Sequence, residues 1–133
     1  MKKLIFLFVT ILSTFLMETA FAYCSFDATV DPAVQYGIYD VQLKTWNSNV
    51  VLFTLYSVQP GETKYSALAK CPDSQTALKV SFKDQNSGYV YESNEMAYFK
   101  NDNQIAWGKL KLSGFNIKAI LEICDSGNCL KKK

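Results

Sequence analysis

The sequence contains no histidine, and all 14 of its basic residues are lysine, so arginine is absent as well. Without histidine, the Ser-His-Asp and Cys-His arrangements of nucleophilic enzymes and all histidine-containing metal sites are excluded. Without arginine, the chain lacks the bidentate guanidinium contacts that proteins use to bind phosphate and carboxylate groups. Any general acid–base catalysis would have to use Asp, Glu, Lys or Tyr side chains.

A strong charge imbalance is also missing, because 14 lysines face 12 acidic residues and three of the lysines form the tail 131–133. Nucleic-acid binding usually requires a concentrated basic face, so no nucleic-acid partner is expected. Glu92 and Glu95 could form the carboxylate pair of a glycosidase, but scattered acids make one such pair expected by chance. The sequence therefore predicts no enzyme, no cofactor and no metal site.

The longest apolar run lies near the N-terminus, where Lys2 and Lys3 precede residues 4–12 and Ala22 closes a small-x-small sequence. This order is typical of a secretory signal peptide that is cut after Ala22. A membrane anchor is the alternative, although the run is short for a bilayer span. We expect residues 23–133 to form one exported domain without a stable membrane anchor, periplasmic in a Gram-negative bacterium or secreted.

The exported part has four cysteines, Cys24, Cys71, Cys124 and Cys129. An even number in an oxidising compartment indicates two disulfides, for which three connectivities are possible. Cys124 and Cys129 flank turn-forming residues, so a local bridge there would leave Cys24 to pair with Cys71. The alternative is a bridge from Cys24 to the C-terminal region.

Alternating apolar and polar residues recur along the exported part and predict short strands. The predicted strands are 24–30, 38–44, 50–56, 77–83, 89–92, 96–100, 105–112 and 115–124. Segment 50–56 is apolar on both faces, which predicts a central strand, and Phe115 heads the predicted buried face of the last strand. Segment 62–71 fits either a short helix or a strand. About eight short strands predict an all-β fold, a small antiparallel β-sandwich or barrel stabilised by disulfides, with at most one short helix.

Residues 87–107 carry a Ser-Gly-x-x-Tyr loop, formed by Ser87, Gly88 and Tyr91, and then the aromatic pair Tyr98-Phe99. This segment resembles the bacterial periplasmic and membrane-bound inhibitors of c-type lysozyme. The resemblance implies that a loop serine and a later lysine enter the lysozyme cleft and contact its catalytic carboxylates. Glycine would allow close approach of the backbone, and tyrosines would supply rigid contact area.

The later lysine departs from the pattern of that family. Asn101 occupies the family's lysine position, Lys100 lies one residue earlier, and Asp102 stands where glycine is expected. Because a shift of one residue turns a side chain to the other face of a strand, Lys100 can serve only if a turn redirects it. The predicted partner-binding residues are Ser87, Gly88, Tyr89, Tyr91, Tyr98, Lys100 and Asn101, and alanine at Ser87 or at Lys100 is expected to weaken inhibition.

Two other exported binding proteins remain alternatives to an inhibitor of a lysozyme-type muramidase. A chaperone–usher pilus or adhesin subunit is also small, β-rich and disulfide-bonded, but the lysine-rich end 131–133 does not form the expected C-terminal strand. A periplasmic immunity protein that neutralises a bacterial toxin has no general sequence signature. All three alternatives make another protein the expected partner.

Overall fold

The computed structural model describes residues 23–125. The predicted signal peptide 1–22, the tail 131–133 and Cys129 lie outside the described residues. Within the described range, no helix is long and apolar enough to cross a membrane. The same range forms one 3₁₀ turn, Pro32–Val34, and nine strands: β1 (Tyr23–Val30), β2 (Tyr39–Thr45), β3 (Val51–Val58), β4 (Thr63–Tyr65), β5 (Ala69–Lys70), β6 (Leu78–Asp84), β7 (Val90–Glu92), β8 (Gln104–Ser113) and β9 (Asn116–Asp125).

The strands form two sheets that share one hydrophobic core. Sheet 1 has the order β4-β1-β8-β9, with β5 also pairing with β1, and sheet 2 has the order β3-β2-β6-β7. This arrangement confirms the predicted all-β sandwich. The closed barrel, the predicted alternative, does not form. The sequence predicted antiparallel strands, yet β1 and β8 pair in parallel. A parallel pair needs a long connection between its strands, and the intervening residues 31–103 supply it.

The predicted alternation determines which side chains enter the core. In β1 the even-numbered side chains from Cys24 to Val30 are fully buried, whereas Ser25, Asp27 and Thr29 are only partly buried. The apolar residues of β2 and β6 alternate in the same way. Because successive side chains of a strand point to opposite faces, one apolar set from each strand meets between the sheets.

Cys24 and Cys71 form a disulfide that ties the start of β1 to the segment after β5. This pair excludes both connectivities in which Cys24 bonds to a C-terminal cysteine. The expected partner of Cys124 is Cys129, which lies outside the described residues.

Three local predictions are wrong, each because tertiary contacts decided the outcome. The predicted central strand 50–56 is the edge strand β3, and Phe115 is fully exposed in the β8–β9 turn. Segment 96–100 is not a strand and makes only an isolated bridge at Ala97. Segment 62–71, which fitted either a short helix or a strand, forms the strands β4 and β5 along the edge of β1.

The strand register divides the connecting loops between two ends of the sandwich. Asp84 at the end of β6 pairs with Tyr39 at the start of β2. Pro60, which follows β3, bridges to Val30 at the end of β1. Because β8 runs parallel to β1, the β8–β9 turn lies at this end as well. The opposite end carries the Cys24–Cys71 bridge, and we call it the disulfide end.

Candidate functional site

The Ser-Gly-x-x-Tyr loop is a tight turn between β6 and β7 that Asp84 holds in place. One carboxylate oxygen of Asp84 accepts a hydrogen bond from the Asn86 amide at 3.0 Å, and the other accepts one from the Ser87 hydroxyl at 3.0 Å. The Ser87 oxygen in turn accepts a bond from the Tyr89 amide at 3.2 Å. Gly88 has a φ of 76°, which a residue with a Cβ adopts only with strain. Ser87 and Gly88 therefore shape the turn.

The two tyrosines of this loop have different surroundings. Tyr89 projects from the turn and is mostly exposed, while Tyr91 lies in β7 and packs on its neighbours. The ring centroids are 4.7 Å apart for Tyr89 and Tyr91, and 6.4 Å apart for Tyr91 and Tyr39. Desolvation, followed by the charges of Tyr89 and Asp84, raises the pKa of Tyr91. Tyr91 therefore supports the turn from inside, and Tyr89 is the tyrosine available to a partner.

The second predicted segment is organised by Gln104, which is buried at the start of β8. Its side-chain oxygen accepts hydrogen bonds from the amides of Lys100 at 2.7 Å and Asn101 at 3.0 Å. Its side-chain nitrogen donates to a carboxylate oxygen of Asp125 at 3.0 Å. Tyr98, Lys100 and Asn101 line a shallow recess of about 470 Å³ beside this glutamine.

The two predicted segments do not come together. The turn at Ser87 follows the end of β6, whereas the segment with Lys100 begins where Ala97 bridges to Leu78, at the start of β6. Six residue steps of about 3.3 Å separate these positions by about 20 Å. The two catalytic carboxylates of a glycosidase lie only about 5–10 Å apart. Ser87 and Lys100 are thus not placed to contact one such pair together.

Several exposed aromatic side chains lie at the same end of the sandwich as the Ser87 turn. Tyr36, Tyr56 and Tyr89 are 82%, 68% and 61% exposed, and Phe115 is fully exposed. Tyr36 precedes β2, Tyr56 lies near the end of β3 and Phe115 occupies the β8–β9 turn. We call the surface formed by these four residues and the Ser87 turn the aromatic end.

Sequence reasoning missed three members of the aromatic end. Tyr36 and Phe115 each adjoin a glycine with positive φ, Gly37 and Gly114, and such Gly-aromatic pairs in turns are a usable signal. Tyr56 gave no signal, because a register shift in the β2–β3 pair decides its orientation.

Asp27 is the titratable residue whose pKa the fold shifts most clearly. It lies on the outer face of sheet 1, between Tyr65 of β4 and Trp107 of β8. Burial raises the pKa of this carboxyl from 3.8 to about 6. The indole N–H of Trp107 donates its hydrogen bond to the Thr29 hydroxyl at 2.8 Å. The desolvated carboxylate of Asp27 therefore destabilises the folded protein at neutral pH.

Asp27→Asn is expected to raise the free energy of unfolding at pH 7.5 by about 1 kcal/mol and to leave it unchanged at pH 3.5. The full pKa shift corresponds to about 3 kcal/mol, and solvent screening of this partly exposed group reduces that figure. Because the folded pKa is raised, the wild-type protein loses stability as pH rises from about 4 to about 6. Urea unfolding across this range checks the prediction, and parallel pH profiles of variant and wild type would contradict it.

No protein-family model matches this chain, and no curated protein matches it.

Proposed function

We propose that this protein is an exported protein-binding module that recognises its partner with the aromatic end, and that the partner is a lysozyme-type muramidase. The observation that carries the proposal is that four of the seven exposed aromatic side chains of the described residues, Tyr36, Tyr56, Tyr89 and Phe115, lie at one end of the sandwich. Tyrosines on loops supply large and rigid contact area at low entropic cost, as they do in antibody binding sites. Side chains of this kind also carry much of the energy in protein interfaces.

The turn at residues 84–89 supports the proposal because it is rigid before any partner binds. The Asp84 carboxylate and the Ser87 hydroxyl connect four positions of the turn through hydrogen bonds of 3.0–3.2 Å. A loop already held in its binding conformation loses less entropy on association. The turn also leaves Tyr89 61% exposed beside the ring of Tyr91, so its outer face is open to a partner.

The geometry favours aromatic side chains over the predicted serine–lysine pair for the proposed inhibitory contact. The Ser87 hydroxyl already donates to Asp84 at 3.0 Å, so a carboxylate of the partner would have to compete for that hydrogen. Lys100 lies at the disulfide end and does not reach the same cleft. Ser87 therefore acts by holding the turn, and Tyr89 and Phe115 are the residues proposed to enter the cleft.

Inhibition assays with matched variants test the proposal. The protein, exported with its own leader and purified from the periplasm, is titrated against c-type, g-type and phage-type muramidases acting on cell walls. Stoichiometric inhibition of one class is expected, and alanine at Tyr89 or at Phe115 is expected to weaken it about tenfold or more. Lys100→Ala is the control, since this exposed residue lies at the opposite end and its loss is expected to leave inhibition unchanged.

The outcomes separate the parts of the proposal. If inhibition requires Lys100 but not Tyr89, the binding surface would be assigned to the disulfide end. If no muramidase class is inhibited, a muramidase is excluded as the partner. A pull-down from the periplasm that captures a toxin through Tyr89 and Phe115 would then assign the same surface to an immunity protein.

A further inference from the structure

Strand β3 contains a bulge that turns Tyr56 outward. In the β2–β3 pair, Tyr56 and Ser57 together lie opposite Asp40, because the register shifts there. Leu55 before them and Val58 after them are both buried in the core. Without the extra residue, the alternation of a strand would turn one of these two apolar side chains outward. The bulge thus keeps β3 packed on the core while Tyr56 is 68% exposed.

The bulge is a strained piece of backbone that side chains hold from two sides. Ser57 has a φ of 56°, in the left-handed region that residues with a Cβ rarely adopt. Its amide donates to a carboxylate oxygen of Asp40 at 3.1 Å, and the Tyr56 carbonyl accepts from the Lys64 ammonium at 2.7 Å. Because this amide and this carbonyl belong to one peptide bond, both its ends are held. Strained conformations persist only where surrounding contacts hold them in this way.

Gln85, in the turn between β6 and β7, holds the bulge from a third side. Its side-chain nitrogen donates to the same Asp40 oxygen at 2.8 Å and to the Ser57 hydroxyl at 3.0 Å. Its backbone amide donates to the carbonyl of Ile38, directly before β2, at 2.8 Å. One residue of the Ser87 turn is therefore bonded to β2, to β3 and to the segment before β2.

These bonds join the segments that carry the three tyrosines of the aromatic end. Tyr89 ends the turn that contains Gln85, and Tyr56 lies in the bulge. Tyr36 lies two residues before Ile38. The three tyrosines come from different parts of the chain, so their relative positions depend on contacts between these segments. Gln85 makes contacts to all three segments.

We propose that Gln85 is a positioning residue of the aromatic end, which holds the bulge against the Ser87 turn so that Tyr56 and Tyr89 meet the partner as one rigid surface. This inference rests on the proposed function of the aromatic end and adds the residue that fixes its shape. Side chains that are held in place before binding lose less entropy on association. Gln85 acts through Tyr56 and does not need to contact the partner itself.

The exposure of Gln85 allows its positioning role to be separated from stability. Substitutions of exposed residues outside the core usually change the free energy of unfolding little. Gln85→Ala removes the side-chain donor and keeps the backbone bond to Ile38. Gln75→Ala is the matched control, because Gln75 is also exposed, donates its backbone amide to Asp73 and lies between β5 and β6, at the disulfide end.

Amide hydrogen exchange followed by NMR tests the positioning without any partner, on the protein purified from the periplasm. Gln85→Ala is expected to speed exchange of the Ser57 amide about tenfold or more, because the bulge opens more often once the glutamine contacts are lost. The amides of β1 are expected to exchange as in wild type, which separates local opening from global unfolding. Gln75→Ala is expected to leave the Ser57 amide unchanged. If this amide exchanges at the same rate in Gln85→Ala and in wild type, the proposal is overturned.

A double-mutant cycle tests the consequence for binding, with a muramidase that the wild-type protein inhibits. Gln85→Ala is expected to raise the inhibition constant about fivefold or more in wild type, but less than about twofold in a Tyr56→Ala background, where the side chain to be positioned is gone. Equal factors in both backgrounds would show that Gln85 does not act through Tyr56, which would overturn the proposal. If no muramidase is inhibited, the proposed function fails, and the exchange of the Ser57 amide alone decides whether Gln85 holds the bulge.

Discussion

Replacing Cys24 and Cys71 together by alanine is expected to lower the free energy of unfolding by about 4 kcal/mol. The bridge joins residues 47 positions apart, and a closed loop of this length strongly restricts the unfolded chain. It also secures β1, whose position between β4 and β8 makes it central to sheet 1. Urea unfolding of wild type and variant under non-reducing conditions measures the difference.

Reduction provides the control for the cysteine variant. In the presence of a thiol reductant, the wild-type protein is expected to approach the stability of the variant, because both chains then lack the Cys24–Cys71 crosslink. A loss below about 1 kcal/mol under non-reducing conditions would show that the bridge contributes little beyond the packing of β1.

Gly108→Ala is expected to lower the free energy of unfolding by about 2–3 kcal/mol, since it overfills a close-packed point of the core. A Cβ on Gly108 would lie 2.6 Å from a methyl carbon of Val80 and 3.4 Å from the ring of Phe26. Gly108 is in β8 and Val80 in β6, so this contact joins the two sheets at close range. Urea unfolding at pH 7 measures the loss.

Shortening Val80 tests whether this contact is the cause. In a Val80→Ala background, Gly108→Ala is expected to cost at least about 1 kcal/mol less than in wild type, because the new methyl group occupies the vacated space. Equal costs in both backgrounds would assign the effect to backbone flexibility and not to packing.

Much of the fold could be predicted because alternation along a strand records directly which side chains are buried. The even-numbered side chains of β1, and Tyr39, Val41 and Leu43 of β2, are buried as predicted. The sequence predicts the position of a strand within its sheet less well. β3 is apolar on both faces, yet it is an edge strand of sheet 2. Tyr56 and the residues at the start of β3 are therefore exposed. An exposed apolar residue and a buried one look alike in a single sequence.

The candidate site could be predicted only where it is formed by one continuous segment. The Ser87 turn was recognised because its glycine, its small hydroxyl residue and its tyrosines are adjacent in the chain. Its supposed partner Lys100 was misplaced, because 13 residues of chain lead from Ser87 back along β6 to the opposite end of the sandwich. The grouping of Tyr36, Tyr56 and Phe115 depends on three other loops that only the packed sheets bring to one end.

The sequence by itself determined the β class, the core-facing residues of β1, β2 and β6, and the tight turn at Ser87. Each of these follows from local rules, namely side-chain alternation and the conformational freedom of glycine. The tertiary structure decided the parallel pairing of β1 with β8, the disulfide partner of Cys24, and which ends the loops occupy. These features depend on contacts between residues far apart in the chain, where register and sheet order are settled by the packing of whole strands.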